Sequence, residues 1–328
     1  MPANLPPHYY EAEKEYRRAR TAAEKIEALE TMLAIMPKHK GTDHLKADLR
    51  AKIAKLLEEG ERHAGGTRAQ LHVVRKEGAG QVVFAGPPNV GKSRLLAVLT
   101  GAAPKVADYP FTTQLPMPAM MPYENVQVQL VDVPPMVAGP TEPWLRNLIR
   151  RADLLLLVVD LSQDPLADLA LLREQLASFR IELQEPRDEP AVEQDGQTTK
   201  RALLVANKAD APDSADALEL LQLENAGWLP LYSVSAETGL GLEDLRRAIY
   251  EGLRVIRVYT RSPRQEPDLS RPIILPQGST VEDLARDIHK EIAAKLKFAQ
   301  VWGSAKFPGQ RVGREFVLAD GDVVELFS

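Results

Sequence analysis

The segment Gly86-Pro-Pro-Asn-Val-Gly91-Lys92-Ser93 constrains the fold of this chain more than any other. It has the spacing G-x-x-x-x-G-K-S and stands between an apolar β-rich run, Val82–Ala85, and a helix-like run, Ser93–Leu99. In that setting glycines let the backbone curl so that several N–H groups face one anion. The helix that follows adds the partial positive charge of its first turn. Lys92 is placed to reach the β- and γ-phosphates of a nucleoside triphosphate, and the Ser93 hydroxyl to hold Mg²⁺. A loop of this kind needs a strand behind it and a helix in front, which predicts an α/β domain.

The neighbouring sequence agrees. The runs Val126–Val131, Leu154–Asp160, Ala202–Ala206 and Leu231–Val234 alternate with helical segments near Glu142–Arg151, Pro165–Leu183, Ser214–Glu224 and Leu242–Arg254. Such alternation predicts a mainly parallel sheet covered by helices. Leu154–Val159 is apolar at every position, as a central strand requires, whereas Glu182–Thr199 is polar and acidic and reads as a loop. The expected organisation is a helical hairpin region (1–80), a nucleotide-binding domain (81–261), a polar link (262–270) and a small α+β domain (271–328). The hairpin consists of helices over residues 8–36 and His44–Glu59, joined by Met36–Gly41. In the last unit, Ile273–Leu275, Phe316–Leu318 and Val323–Phe327 read as strands. Val281–Leu296 reads as a helix, with Thr280 as N-cap and Asp283 at the capping-box position.

Composition excludes several chemistries. The 328 residues include no cysteine, which removes disulfide scaffolds, zinc–thiolate sites and thiol catalysis. Six histidines (His8, His39, His44, His63, His72, His289) show no metal-ligand clustering and are expected to be solvated or structural. The N-terminal twenty residues lack an apolar core behind a basic start, and no apolar run approaches the ~20 residues of a membrane span. A soluble, cytoplasmic protein is expected, with no membrane partner. The net charge of −5 divides into +3 over residues 1–80, −8 over 81–270 and zero over 271–328, so no strong basic stripe is visible.

Three further motifs bear on the nucleotide. Asp132 ends the strand Val126–Val131, where a Mg²⁺-orienting carboxylate belongs in such folds. Asn207-Lys208-Ala209-Asp210 closes another buried strand. The Asp210 carboxylate can accept two hydrogen bonds from the N1–H and 2-amino group of guanine, a pair that adenine lacks. The Lys208 stem can pack over the loop and base. Ser235-Ala236-Glu237 follows the strand Leu231–Val234 and supplies a backbone donor for guanine O6. The expected nucleotide contacts are therefore Gly86, Asn89, Val90, Gly91, Lys92, Ser93, Arg94, Asn207, Lys208, Asp210, Ser235, Ala236 and Glu237.

On these residues the chain resembles the Obg superfamily of translation-factor-related GTPases, most closely the branch of developmentally regulated GTP-binding proteins. The resemblance covers nearly the whole chain. Its parts are the N-terminal MPKHKGTDHLKADLRAKIAKL; GPPNVGKS, ADYPFTT, NKAD and SAETG; and RPIILPQGSTVEDLARDIH, FAQVWGSAKFPGQRVG and LADGDVVELF at the C-terminus. The last group resembles a TGS domain, a β-grasp module. The resemblance implies GTP/GDP and Mg²⁺ as cofactors. It also implies a first switch at Phe111–Leu115 with Thr113 as the second protein ligand of Mg²⁺, and Asp132 acting on the metal through water. Relatives that prefer ATP carry Glu in place of the last motif residue, so Asp210 points to GTP. Lys92, Thr113 and Asp132 would be the catalytic residues, and Asn89 would help bind K⁺. The hairpin and the TGS domain would contact ribosome or RNA. In the TGS-like part Phe298, Trp302 and Phe307 are expected mainly to fill a small core, and Arg311 and Arg314 to offer a contact surface.

One departure stands out. The second switch of this superfamily reads Asp-x-Pro-Gly, whereas here it is Asp132-Val133-Pro134-Pro135. The glycine normally donates its N–H to the γ-phosphate, and proline has none. Met136, the next residue, cannot polarise water as a glutamine would. Two readings follow: a slow GTP-hydrolysing switch, or a GTP/GDP-binding adaptor with little or no turnover.

Overall fold

Every residue from Leu154 to Val159 is fully buried, and the strand they form divides the interior into two apolar layers. The computed structural model describes residues 74–101, 115–139, 141–187, 197–261 and 266–327, together with Leu29 and Met32. The expected N-terminal hairpin, five of the histidines and the first-switch residues Phe111–Gln114, Thr113 among them, lie outside the described residues.

Seven strands form the first sheet: β1 (Gln81–Ala85), β2 (Met117–Tyr123), β3 (Val126–Asp132), β4 (Leu154–Asp160), β5 (Ile181–Gln184), β6 (Thr198–Asn207) and β7 (Leu231–Ser233). The order is β2-β3-β1-β4-β6-β5, with β7 also pairing β6. Only the β2–β3 pair is antiparallel. Side chains alternate across the sheet. Val82, Phe84, Leu154, Leu156 and Val158 face the layer built with α1 (Lys92–Thr100) and α5 (Leu242–Leu253). Val83, Ala85, Leu155, Leu157 and Val159 face the layer of α2 (Pro143–Arg151), α3 (Pro165–Ser178) and α4 (Ser214–Glu224). This is the expected α/β architecture. Among the described residues no helix is long and apolar enough to cross a membrane.

Three local expectations fail for identifiable reasons. The helix expected to run to Leu183 stops at Ser178, because Arg180 turns left-handed at φ 58° and Ile181–Gln184 becomes a strand. Consequently both ends of the expected loop 182–199 are β-structure, with Ile181 paired to Thr198 and Gln184 to Arg201. Strand β2, which carries Pro118 and Pro122, has no counterpart among the expected strands. It lies at the sheet edge, where a missing N–H costs no ladder bond. The helix expected over 281–296 is two helices, α6 (Val281–Ile288) and α7 (Lys290–Lys295). His289 between them is extended, and its Nδ1 accepts the Glu291 amide as an N-cap at 3.2 Å. The Thr280–Asp283 capping box at the start of α6 is present.

The C-terminal sheet has the order β11-β10-β12-β8-β9. Its strands are β8 (Val255–Thr260), β9 (Ile273–Pro276), β10 (Phe298–Trp302), β11 (Gln310–Val312) and β12 (Val323–Phe327). The first of these precedes the expected link and begins one residue after α5. Phe316–Leu318 contributes only an isolated bridge from Val317 to Thr280.

The two sheets meet at the β2–β3 turn. Arg257 on β8 donates from Nε to Asp320 Oδ1 at 3.0 Å and from Nη2 to Asp320 Oδ2 at 2.6 Å. Its Nη1 reaches Asn125 Oδ1 at 3.2 Å and also pairs with Glu124. Asn125 in turn donates to the Tyr259 hydroxyl at 2.6 Å and to the Leu269 carbonyl at 3.1 Å. The two-pronged Arg257 contact holds the Asp320 carboxyl below the usual carboxylate range. A depressed carboxylate stabilises the fold above its unfolded-state pKa, and the contribution is lost as pH falls through the folded value. The Asp320→Asn variant should therefore melt at lower temperature than the parent at neutral pH. The gap should narrow as the pH falls through the acidic carboxylate range, a trend that thermal denaturation across pH would record.

Candidate functional site

The loop from Gly86 to Ser93 joins the C-terminal end of β1 to α1, and the sheet behind it dictates its glycines. A Cβ at Gly86 would lie 2.6 Å from the Val158 carbonyl oxygen. Gly91 has φ 91°, and a Cβ there would lie 2.3 Å from Asn207 Nδ2. Asn89 is also left-handed, with φ 64°, a conformation in which asparagine is enriched, and it is exposed. Asparagine thus suits the turn at position 89.

Lys92 is buried. Its Nζ donates to the carbonyls of Gly86 and Pro87, each at 2.8 Å. Burial lowers its pKa to about 8, against the pull of the Asp132 and Asp168 charges. The Ser93 hydroxyl donates to Asp132 Oδ2. Burial raises the Asp132 pKa, with the Ser93 bond and the Lys92 charge opposing it. Asp132 Oδ1 is buried and has no hydrogen-bond partner. A hydroxyl oxygen beside an unsatisfied buried carboxylate oxygen is a hard, all-oxygen donor pair of the kind Mg²⁺ takes, so these residues fit the metal. Among the described residues no group of three or more His, Cys, Asp or Glu could hold a metal ion.

Asn207, the last residue of β6, ties the phosphate loop to the expected base-binding segments. Its Nδ2 donates to the Val90 carbonyl at 2.9 Å, and its Oδ1 accepts the Ala236 amide at 3.2 Å. The Ala236 amide, expected to face guanine O6, is thus already engaged. The Ser235 hydroxyl accepts the Glu237 and Thr238 amides at 3.2 and 3.0 Å. Arg94 and Glu237 form an exposed ion pair at 3.2 Å, and Asp210 is exposed. Lys208 is left-handed at φ 65°, and its Nζ pairs with Asp160. Asp160 is a residue that motif reading passes over. It is buried at the end of β4 and accepts from the Ser162 amide and hydroxyl at 2.8 and 2.6 Å. The signal was available, because an acidic residue closing a fully apolar strand must have partners.

The second-switch segment is held at both ends. Val133 and Met136 are buried in the second apolar layer, and the Met136 amide donates to the Gly86 carbonyl at 3.0 Å. Pro134 and Pro135 have no N–H. No amide from 134 to 136 is left to meet a γ-phosphate in this arrangement.

The C-terminal aromatics divide. Phe298 stacks on Phe327 at 4.6 Å with Arg311 over it at 3.8 Å, Trp302 lies under Arg261 at 4.8 Å, and Phe307 is exposed rather than in the core. The Arg314 Nε donates to the Leu296 carbonyl at 2.9 Å. That guanidinium therefore supports the domain itself and is not wholly available as a contact surface.

Fold and site together define a P-loop GTPase domain followed by a TGS domain. The family model described as 50S ribosome-binding GTPase matches residues 81–208, and the TGS domain model matches 256–328. An uncharacterized GTP-binding protein of Methanocaldococcus jannaschii is 31% identical, with 92% of this chain and 92% of that protein covered. Developmentally-regulated G-protein 3 of Arabidopsis thaliana is 32% identical over 93% of this chain and 98% of its own length. The chain belongs to the family of developmentally regulated GTP-binding proteins and is a GTP-binding protein.

Replacing Asn207 by Ala leaves the Val90 carbonyl and the Ala236 amide unpaired in a buried setting. Each such group costs about 1–3 kcal/mol. Chemical denaturation should show a loss of roughly 2–6 kcal/mol with the denaturant slope unchanged, and GDP affinity should fall at the same time.

Proposed function

We propose that this protein is a slow, Mg²⁺-dependent GTP hydrolase of the cytoplasm, acting as a nucleotide-controlled switch. Its nucleotide state would govern association with ribosome or RNA through the N-terminal hairpin and the TGS domain. The observation that carries the reading is the Ser93–Asp132 pair, with its unsatisfied carboxylate oxygen, beside the buried Lys92. Ser93 and Thr113 would hold Mg²⁺ directly and Asp132 through water; when bound, the metal neutralises phosphate charge. Lys92 exchanges the Gly86 and Pro87 carbonyls for phosphate oxygens, whose negative charge offsets the burial penalty on the ammonium group. Asp210 accepts the guanine N1–H and 2-amino group. Electrostatic stabilisation and positioning supply the catalysis, with water as the nucleophile. The match to a family of 50S ribosome-binding GTPases supports the partner class. K⁺ as an accessory cation rests on the resemblance at Asn89.

A second reading, a GTP/GDP-binding adaptor with little turnover, is favoured by one specific observation. Pro134 and Pro135 have no amide to donate, and the Met136 amide is spent on Gly86. A lost hydrogen bond to a charged group is worth about 1.5–3 kcal/mol, or about one to two orders of magnitude in γ-phosphate discrimination. Single-turnover assays with Mg²⁺, with and without K⁺, on the parent, Lys92→Ala and Pro135→Gly separate the two. The hydrolase predicts parent turnover above the Lys92→Ala control and a further gain of about tenfold or more in Pro135→Gly. Parent turnover equal to the control would leave the adaptor.

A further inference from the structure

At the end of the parallel sheet opposite the phosphate loop, Gly78 and Ala79 before β1, Asp153 before β4 and Arg201 on β6 face β9 of the TGS domain across a cleft. The cleft holds a cavity of about 570 Å³, within the size range of small-molecule sites, which favour domain junctions. Leu253, Val255, Ile274 and Leu275 form its apolar walls, and Arg201 and Arg254 supply its cations. An adjoining cavity of about 480 Å³ shares Arg254 and Gln277 and is also lined by Glu185, Arg187 and Glu251.

The two guanidinium groups lack carboxylate partners among the described residues. Arg201 Nε is buried with no hydrogen-bond partner. Asp153, the one carboxylate lining the larger cavity, is already paired with Lys76 and accepts the Gln81 amide at 2.9 Å. Arg254 bonds only to neutral oxygens, from Nε to Gln277 Oε1 at 2.8 Å and from Nη1 to the Arg187 carbonyl at 2.6 Å. Arg254 is also the single residue between α5 and β8, and it is left-handed at φ 52°. Glycine would carry that conformation without strain, yet a long cationic side chain stands there, laced across the cleft. The charges of the two arginines oppose each other, and burial together with Arg254 pulls the Arg201 pKa below its ordinary value, against the pull of the Asp153 charge.

We propose that this interdomain cleft is a second ligand site that binds a phosphate group, free or as a small organic monoester, on Arg201 and Arg254. A phosphate dianion would supply the paired negative charge that neither guanidinium has among the described residues, and its oxygens suit the planar guanidinium fork. The apolar walls would receive the body of a monoester. The site is separate from the nucleotide loop and does not depend on GTP hydrolysis.

The test uses full-length protein saturated with GDP and Mg²⁺, so that the phosphate loop is filled, titrated calorimetrically with phenyl phosphate and with inorganic phosphate. One saturable site with Kd below about 1 mM is expected. Arg201→Gln should weaken it about tenfold or more while leaving the melting temperature unchanged or higher, because an uncompensated charge is removed. Should Arg201→Gln fail to fold, Arg201→Lys, which keeps the charge and loses the fork, should bind with intermediate affinity. Tighter binding of phenyl phosphate than of phosphate assigns the site to a monoester, and equal binding assigns it to free phosphate. No saturable binding of either probe, binding abolished by GDP saturation, or binding unaltered in the Arg201 variants would each overturn the proposal.

Discussion

A buried lysine cation dictates the shape of this nucleotide site. Burial pushes the Lys92 pKa down to about 8 against the pull of the Asp132 and Asp168 charges, and the loop is curled so that the Gly86 and Pro87 carbonyls accept from the ammonium group. That curl brings the loop against the Val158 carbonyl and the Asn207 side chain, which is why positions 86 and 91 have no room for a Cβ. The loop conformation is thus imposed by β4 and β6, whose own positions follow from the two apolar layers on either side of the sheet. Removal of core volume beneath β4 would be felt at the phosphate site before any residue touching a nucleotide was changed.

The Gly86 carbonyl serves two donors, Lys92 Nζ and the Met136 amide. One oxygen therefore joins the phosphate loop to the second-switch segment, and two consecutive prolines lie between that anchor and Val133. Proline fixes φ and removes donors, so the segment is stiffer and poorer in hydrogen bonds than a glycine-containing counterpart. On the far side of Asp132, the β2–β3 hairpin carries its turn into the Arg257 clasp. The strand that ends at Asp132 thus begins at the junction with the TGS domain.

Much of this was legible in the residues, and the reasons differ by element. The phosphate loop, β1, β4 and β6 were readable because full burial enforces continuous apolar runs and the loop needs glycine at positions set by its neighbours. Strand β2 was not readable, because at a sheet edge its prolines cost nothing and its composition is free to look like a turn. The break at His289 was hidden because an imidazole cap replaces the usual glycine or proline signal. The Asn207 bridge and the Asp160–Lys208 pair depend on strands distant in sequence meeting side by side, and no local pattern records that. The arginine cleft was invisible for the same reason, since Arg201 and Arg254 come together only through the pairing of the two sheets with α5.

The proposed switch requires that the phosphate loop and the Asn207–Asp210 segment form one site selective for guanine. Calorimetric titration of the full-length protein with GDP, IDP and ADP in Mg²⁺ tests it directly, because inosine lacks only the 2-amino group that Asp210 would accept. GDP should bind tightest, IDP weaker by about one to two orders of magnitude for one lost hydrogen bond to a carboxylate, and ADP weaker still. ADP binding as tightly as GDP would contradict it.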